Sequence, residues 1–236
     1  MKRLICLLLC GLTLLSLTGC GAPKTETLDI FAMDTYMSLV AIGDGASDVL
    51  QACSNEINTL EQRLSRTIET SSVAQLNANG IAQLDDDTAA LLQAALQYSA
   101  ETGGTFDVTI APLVELWGIT GDDPRVPAQS EIDALLPLVG SGHVHLEGTA
   151  AALDEGCAID LGGIAKGYAS DKTAELFAGS GIFGGFVSLG GNVYVHGVTA
   201  EGQPWNVAIQ DPRNTEAYAC TLRLSDAFVV TSGGYQ

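Results

Sequence analysis

Basic residues are scarce in this chain: 236 residues carry 10 Lys and Arg against 28 Asp and Glu, a formal charge of −18. Nucleic acid is held by clustered cations that displace counterions, and no such cluster occurs, so no nucleic-acid partner is expected. Aromatics make up 6% of the chain and prolines number 7, whereas glycines number 27 and hydrophobic residues reach 47%. That much apolar material can bury a sizeable core, which excludes a disordered chain, and the glycines point to a turn-rich α+β or β-heavy fold. No C-x-x-C pair, internal repeat or low-complexity block is present. The wide spacing of Cys53, Cys157 and Cys220 argues against a disulfide framework or structural zinc, and buried free thiols are expected.

Long apolar runs are missing except at the start, where Lys2 and Arg3 precede the run from Leu4 to Leu17. That run is too short for a permanent transmembrane helix and reads as an export signal over residues 1–19. Its removal leaves eight basic against 28 acidic residues, or −20. Leu17-Thr18-Gly19-Cys20 resembles the bacterial lipoprotein signal, in which cleavage precedes a cysteine that then carries acyl chains; an ordinary secretory peptide is the alternative. Lipidation at Cys20 with two or more chains would anchor the protein stably to the outer face of the cell membrane. Residues 20–27, with Pro23, suit a tether, and folded sequence is expected from Leu28.

Residues 28–42 alternate loosely and are rich in strand formers, predicting a strand or hairpin interrupted at Met33-Asp34-Thr35. Val49, Leu50, Cys53, Ile57, Leu60 and Leu64 fall at helical spacing, predicting a helix over 47–65 with Ser47 as N-cap. Leu91, Leu92, Ala95, Leu96 and Tyr98 predict a second helix from Asp87 or Thr88 to Thr102, stopped by Gly103-Gly104. Asp85, Asp86 and Asp87 read as its acidic start rather than as a metal site. A short helix over 130–137, two short strands around Gly148, a helix over 164–178 and strands over 186–198, 205–209, 219–224 and 227–230 complete the pattern.

Three segments place polar or glycine residues inside apolar runs: 103–113, 160–169 and 188–192. Such placements mark a special turn or close backbone approach to a ligand. In the second, Asp160-Leu161-Gly162-Gly163 opens the predicted helix with Lys166 on its first turn, so dipole, unpaired N–H groups and a cation converge as in a phosphate receptor. A capped helix with a surface lysine fits this segment equally well, and neither the Walker A pattern nor the dinucleotide fingerprint is matched. Asp107, between Phe106 and Val108, needs a partner because a lone buried carboxylate is costly. Met33 and Phe106 suit core packing as well as ligand contact. His143 and His145 flank Val144 without an evident third ligand and read as solvent-facing; His196 reads as structural.

In order and spacing, Met33-Asp34-Thr35, Leu64-Ser65, Leu76-Asn77, the stretch from Phe106-Asp107 to Trp117-Gly118, the stretch from Asp160 to Tyr168, Gly190-Gly191-Asn192, Asp211-Pro212-Arg213 and Thr231-Ser232-Gly233 resemble the FAD:protein FMN transferases, also called the thiamine-biosynthesis lipoprotein family. The resemblance covers nearly all of residues 28–236. It agrees with a single large α+β domain in which helices pack on mixed, mostly antiparallel sheets. It implies a magnesium-dependent reaction in which the FAD pyrophosphate is cleaved, AMP leaves and FMN is joined through its phosphate to a threonine of a partner, a membrane redox subunit. Carried over by position, Met33 lines the flavin site, Thr105, Phe106 and Asp107 contact FAD, Asp160 hydrogen-bonds it, Lys166 lies near the nucleotide, and the Gly163 carbonyl binds magnesium. No catalytic residue is assigned.

Two features depart from the family. Thr67 stands where an aromatic residue often stacks on a ring of the cofactor. The sequence also stops at Gln236, ahead of a His-Ile-Ile-Asp-Pro segment and the aspartate and threonine that bind magnesium in the family, so a C-terminally truncated domain, inactive alone, is expected. Two rival readings remain: a lipoprotein that binds or hydrolyses FAD without modifying a protein, and a solute-binding or structural lipoprotein without a flavin site.

Overall fold

The computed structural model describes residues 23–119, 121 and 123–232; the export signal and Cys20 lie outside the described residues. Strands β1 (Thr25–Ala32) and β2 (Thr35–Ile42) pair antiparallel up to Ala32↔Thr35, leaving Met33 and Asp34 as a two-residue turn. The two-residue side-chain period of a strand sets one face of β2 inward, and Met37, Leu39 and Ala41 are fully buried.

Helix α1 (Ala46–Leu64) covers that face with Val49, Leu50, Cys53, Ile57, Leu60 and Leu64, an apolar stripe at three- and four-residue spacing. Ser47 is not its N-cap. The chain leaves β2 through Gly45 at φ 80°, whose carbonyl accepts the N–H of Asp48 (3.0 Å) and Val49 (3.1 Å), so Ser47 falls inside the helix. Helix α2 (Ser72–Asn79) and strand β3 (Ile81–Gln83) follow without having been predicted. Ser71 caps α2 by accepting the Ala74 N–H at 2.9 Å, but Val73 and Leu76 are its only buried residues, too few for a readable period. Helix α3 (Asp86–Glu101) starts on Asp85, whose carboxylate accepts the Thr88 N–H (3.1 Å) and hydroxyl (2.7 Å).

The short helix α4 (Ala111–Trp117) is mostly half-buried, and α5 (Gln129–Leu135) is largely exposed. Strands β4 (Val144–Glu147) and β5 (Ala150–Leu153) turn at Gly148 as predicted and take up β3 in the order β3-β5-β4. Helix α6 (Gly162–Ser180) buries Ala165, Ala169, Thr173 and Phe177, one every four residues, against α1 and the large sheet.

The single strand predicted over 186–198 is a hairpin, β6 (Gly184–Leu189) and β7 (Asn192–Gly197). Gly190 at φ 58° makes the turn, and a Cβ there would lie 2.4 Å from Thr35 Oγ1. Apolar residues on both sides of Gly190-Gly191 hide the reversal in the sequence. With β10 (Ala227–Val230) these strands form a sheet in the order β1-β2-β6-β7-β10. Strands β8 (Trp205–Asp211) and β9 (Asn214–Leu224) form a separate ribbon. The class is α+β, and every described pairing is antiparallel.

Cys53 and Cys157 are buried free thiols, and burial pushes the Cys53 thiol up to about 12. Cys220 is exposed, against expectation, because the ribbon strand that carries it has no layer packed over that side chain.

Candidate functional site

A cleft of about 260 Å³ opens where the β1–β2 turn, the C-terminal end of α1 and the N-terminal end of α6 meet. Met33 and Asp34 form one edge, both with left-handed backbone at φ 49° and 55°. Glu61, on α1, accepts the Met33 N–H at 2.7 Å. At the end of α1, Ser65 Oγ accepts the N–H of Thr67 (3.1 Å) and Ile68 (3.2 Å), which bends the chain at once and presents Arg66 and Thr67 to the cleft.

The opposite wall is fixed through its backbone. Asn77 on α2 grips Ile159 twice, accepting its N–H at 2.8 Å and donating to its carbonyl at 2.9 Å. The Asp160 N–H donates to the Val108 carbonyl at 2.7 Å. The Asp160 carboxylate then accepts the Gly162 N–H (2.7 Å) through one oxygen and Arg66 Nε–H (2.9 Å) through the other. Arg66 also reaches Glu115 at 3.4 Å. The Arg66 side chain is 11% exposed and that of Asp160 19%, so desolvation makes this pair more sensitive to loss of one partner than a surface pair.

Lys166 lines the cleft from the second turn of α6, not the first, because the helix begins at Gly162, two residues earlier than the predicted start at 164. Met33, Asp160 and Lys166 are thus brought together. Thr105, Phe106 and Asp107 are not among the lining residues. Phe106 packs against the start of α6, where a Cβ on Gly163 would lie 3.2 Å from its ring. Asp107 has the partners its position demands: it accepts the Thr109 N–H (2.9 Å) and hydroxyl (2.6 Å) and the Ser99 hydroxyl (3.1 Å). It holds the segment whose Val108 carbonyl fixes Asp160. Thr105 is exposed and donates its hydroxyl to the Thr102 carbonyl. Gly163 is exposed beside Gly162 at the helix start.

Behind the cleft, Tyr168 and Lys172 of α6 and Arg63 of α1 converge on Asp87 of α3, at 2.7, 3.2 and 3.4 Å. The Tyr168 hydrogen bond and then Lys172 hold the Asp87 carboxyl below the usual carboxylate range. These bonds tie three helices together just beyond the start of α6.

Sequence reasoning passed over Glu61, Arg66 and Asn77 as site-forming residues. Asn77 and Arg66 sit within or beside the Leu76-Asn77 and Leu64-Ser65 pairs, whereas Glu61 is one polar residue on a polar helix face and carries no local signal.

The histidines also differ from expectation. His143 Nδ1 and His145 Nε2 do not simply face solvent but share the Asp154 carboxylate at 2.8 and 2.9 Å, because the β4–β5 pairing brings that residue beside both. Among the described residues no group of three His, Cys, Asp or Glu is placed to hold a metal ion. His196 is structural as read, edge-on to Phe177 at 6.1 Å and 3.1 Å from Asp226.

The ApbE family model matches residues 33–236. A Salmonella typhimurium protein named FAD:protein FMN transferase is 29% identical over 262 residues, which take in 100% of this chain and 74% of that protein. A Treponema pallidum protein of the same name is 32% identical over 81% of this chain and 59% of its own length. The crystal structure of the ApbE protein of Thermotoga maritima superposes with a TM-score of 0.84 at 31% identity, over 90% of this chain and 71% of that one.

Proposed function

The chain belongs to the ApbE family, and we propose that its cleft binds FAD for transfer of the FMN portion to a partner protein. The observation that carries this reading is the convergence of Met33, Asp160, Lys166 and the start of α6 on one cleft. A diphosphate at that helix start would meet the dipole, exposed glycine backbone and the Lys166 ammonium, with the Arg66 guanidinium within the same lining. Lys166 and Arg66 are the cations of a lining that also holds the carboxylates of Asp34, Glu61 and Asp160, so the backbone N–H groups at the helix start are needed to receive the anion. The isoalloxazine end would lie toward the Met33 thioether and Leu64, a soft apolar edge.

In the transfer we propose, a threonine Oγ of the acceptor bonds to the FMN phosphorus. The P–O bond to AMP breaks, AMP leaves with the bonding electrons, and the threonine proton is given up. The part of this chain is to bind the diphosphate, orient its bridging oxygen and offset charge as AMP departs. A magnesium requirement belongs to the proposal, since the ion would neutralise the two phosphates. Magnesium takes about six oxygens, and with no acidic cluster among the described residues the Gly163 carbonyl does not make such a site by itself. The acceptor we propose is a membrane redox subunit, reached from an anchor at Cys20 on the outer face of the cell membrane.

Quenching of flavin fluorescence on titration with FAD tests the reading, in the parent chain and in Asp160→Ala and Lys166→Ala. Binding by the parent, with loss in variants that keep their far-ultraviolet dichroism, supports the site; no binding by the parent sinks it. AMP release with no flavin fixed to the acceptor would favour a flavin-hydrolysing lipoprotein instead.

A further inference from the structure

Resting on the reading of this cleft as a flavin site, we propose that Glu61 is a positioning residue that presets the Met33–Asp34 turn for the flavin ring. The β1–β2 connection has two residues, both at positive φ, 49° and 55°. Hairpin turns of this kind favour Asn-Gly or Asp-Gly, because a Cβ crowds the carbonyl in left-handed backbone. Met33 is neither, and no glycine follows it, so the local sequence resists the conformation it adopts.

The turn is held from outside. Glu61 Oε1 accepts the Met33 N–H at 2.7 Å across 28 residues of sequence. Glu61 is itself rigidly placed, since Leu60 and Leu64 on either side of it along α1 are buried at 0% and 5% exposure. The far side of the turn is braced where Thr35 packs against Gly190.

A further carboxylate in a cleft for an anionic cofactor opposes binding by its charge. Glu61, which lines the cleft together with Met33 and Asp34, is accounted for by the backbone N–H it accepts. Its role is conformational. Without it the turn relaxes, and the Met33 side chain no longer faces the ring.

The test is titration of FAD and riboflavin against the parent chain, Glu61→Ala, Glu61→Gln, and Glu61→Ala combined with Asp34→Gly. Glu61→Ala should weaken both flavins about tenfold, the size of a lost bond to a charged group, because it acts on the ring they share. Lys166→Ala, by contrast, should weaken FAD more than riboflavin. Glu61→Gln keeps an acceptor oxygen and removes the charge, so it should bind at least as tightly as the parent. Adding Asp34→Gly should recover most of the Glu61→Ala loss, since glycine accepts positive φ. Hydrogen exchange of the Met33 amide without flavin should be about tenfold faster in Glu61→Ala and unchanged in Glu61→Gln. Glu61→Gln as weak as Glu61→Ala, or Met33 exchange unaltered in Glu61→Ala, overturns the proposal. A parent chain that binds neither flavin overturns the flavin reading instead, and exchange at Met33 still decides whether Glu61 sets the turn.

Discussion

The cleft and the β8–β9 ribbon are both built from chain reversals, yet they are held in opposite ways. The contacts that shape the cleft join residues 28, 82 and 94 positions apart: Met33 with Glu61, Asn77 with Ile159, Arg66 with Asp160. The ribbon is one local ladder from Trp205↔Leu224 to Asp211↔Asn214, and none of its residues is buried. The shape of the cleft is specified by distant parts of the chain, whereas the ribbon is held chiefly by its own ladder and by Trp205. Damage to the framework of the cleft should therefore spread, and damage to the ribbon should stay where it is made.

The largest effect is expected behind α6. Phe177 is fully buried there, edge-on to Tyr194 at 6.3 Å. Truncation to alanine leaves a cavity that its neighbours cannot fill, so Phe177→Ala should cost about 3–5 kcal/mol in urea unfolding. Because the same helix carries Gly162 and Lys166, FAD affinity should fall with it. A variant that loses stability but binds FAD like the parent would break the link between core and cleft.

Asn77→Ala comes next. It strips partners from both the N–H and the carbonyl of Ile159 and should cost about 2–3 kcal/mol. Asp160, the following residue, should then be poorly placed, so FAD titration should show a loss beyond that of equally destabilised variants elsewhere. Unchanged FAD affinity would mean that the Val108 carbonyl, the Gly162 N–H and Arg66 fix Asp160 without Asn77.

The same division governs how much can be read from the sequence. The β1–β2 hairpin, α1 and α3 are legible because each lays an apolar stripe on one core, and period reports burial; α6 buries Thr173 and Ser170 beside Ala165, Ala169 and Phe177, so no such stripe marks it. The lipoprotein-like start lies outside the described residues, so nothing in the structure bears on Cys20. Helix α2 buries too little to show a period, and the turn at Gly190 lies inside an apolar run. At the candidate site, Met33, Asp160 and Lys166, named from the family resemblance, line one cleft. Asp107 is legible as a carboxylate that needs partners, although those partners, Ser99 and Thr109, are protein groups that leave it outside the cleft lining. Glu61 and Arg66 act across the fold, and a polar residue whose partner lies far away in sequence leaves no local pattern.

On the ribbon side the expected effect is smaller and local. Trp205 donates its indole N–H to the His196 carbonyl at 2.9 Å and meets Phe186 edge-on at 5.5 Å. Trp205→Ala should cost about 1–2 kcal/mol for the lost bond and ring contact. It should speed amide exchange across β8 and β9 and leave FAD affinity within error. A clear fall in FAD affinity would show that the ribbon supports the cleft after all.

The smallest effect separates the two regions by pH. Asp87, in the framework behind the cleft, has its carboxyl held low chiefly by the Tyr168 hydroxyl and then by Lys172. A carboxyl with a lowered folded value stabilises the fold fully above its unfolded value, about 3.9, and loses that contribution as pH falls through the folded one. The parent should therefore lose urea resistance as pH falls below about 4, and Tyr168→Phe, which removes the main cause, should lose less over the same fall. The difference should be slight, because the Asp87 side chain is 40% exposed and solvent screens it. Asp211 in the ribbon is also held low, first by the Arg213 backbone N–H and then by its side chain. That contact closes only a local turn, so Asp211→Asn should leave the acid slope of global unfolding as it is in the parent. Equal slopes for the parent and Tyr168→Phe would remove Asp87 from the framework, and a flattened slope in Asp211→Asn would make the ribbon part of it.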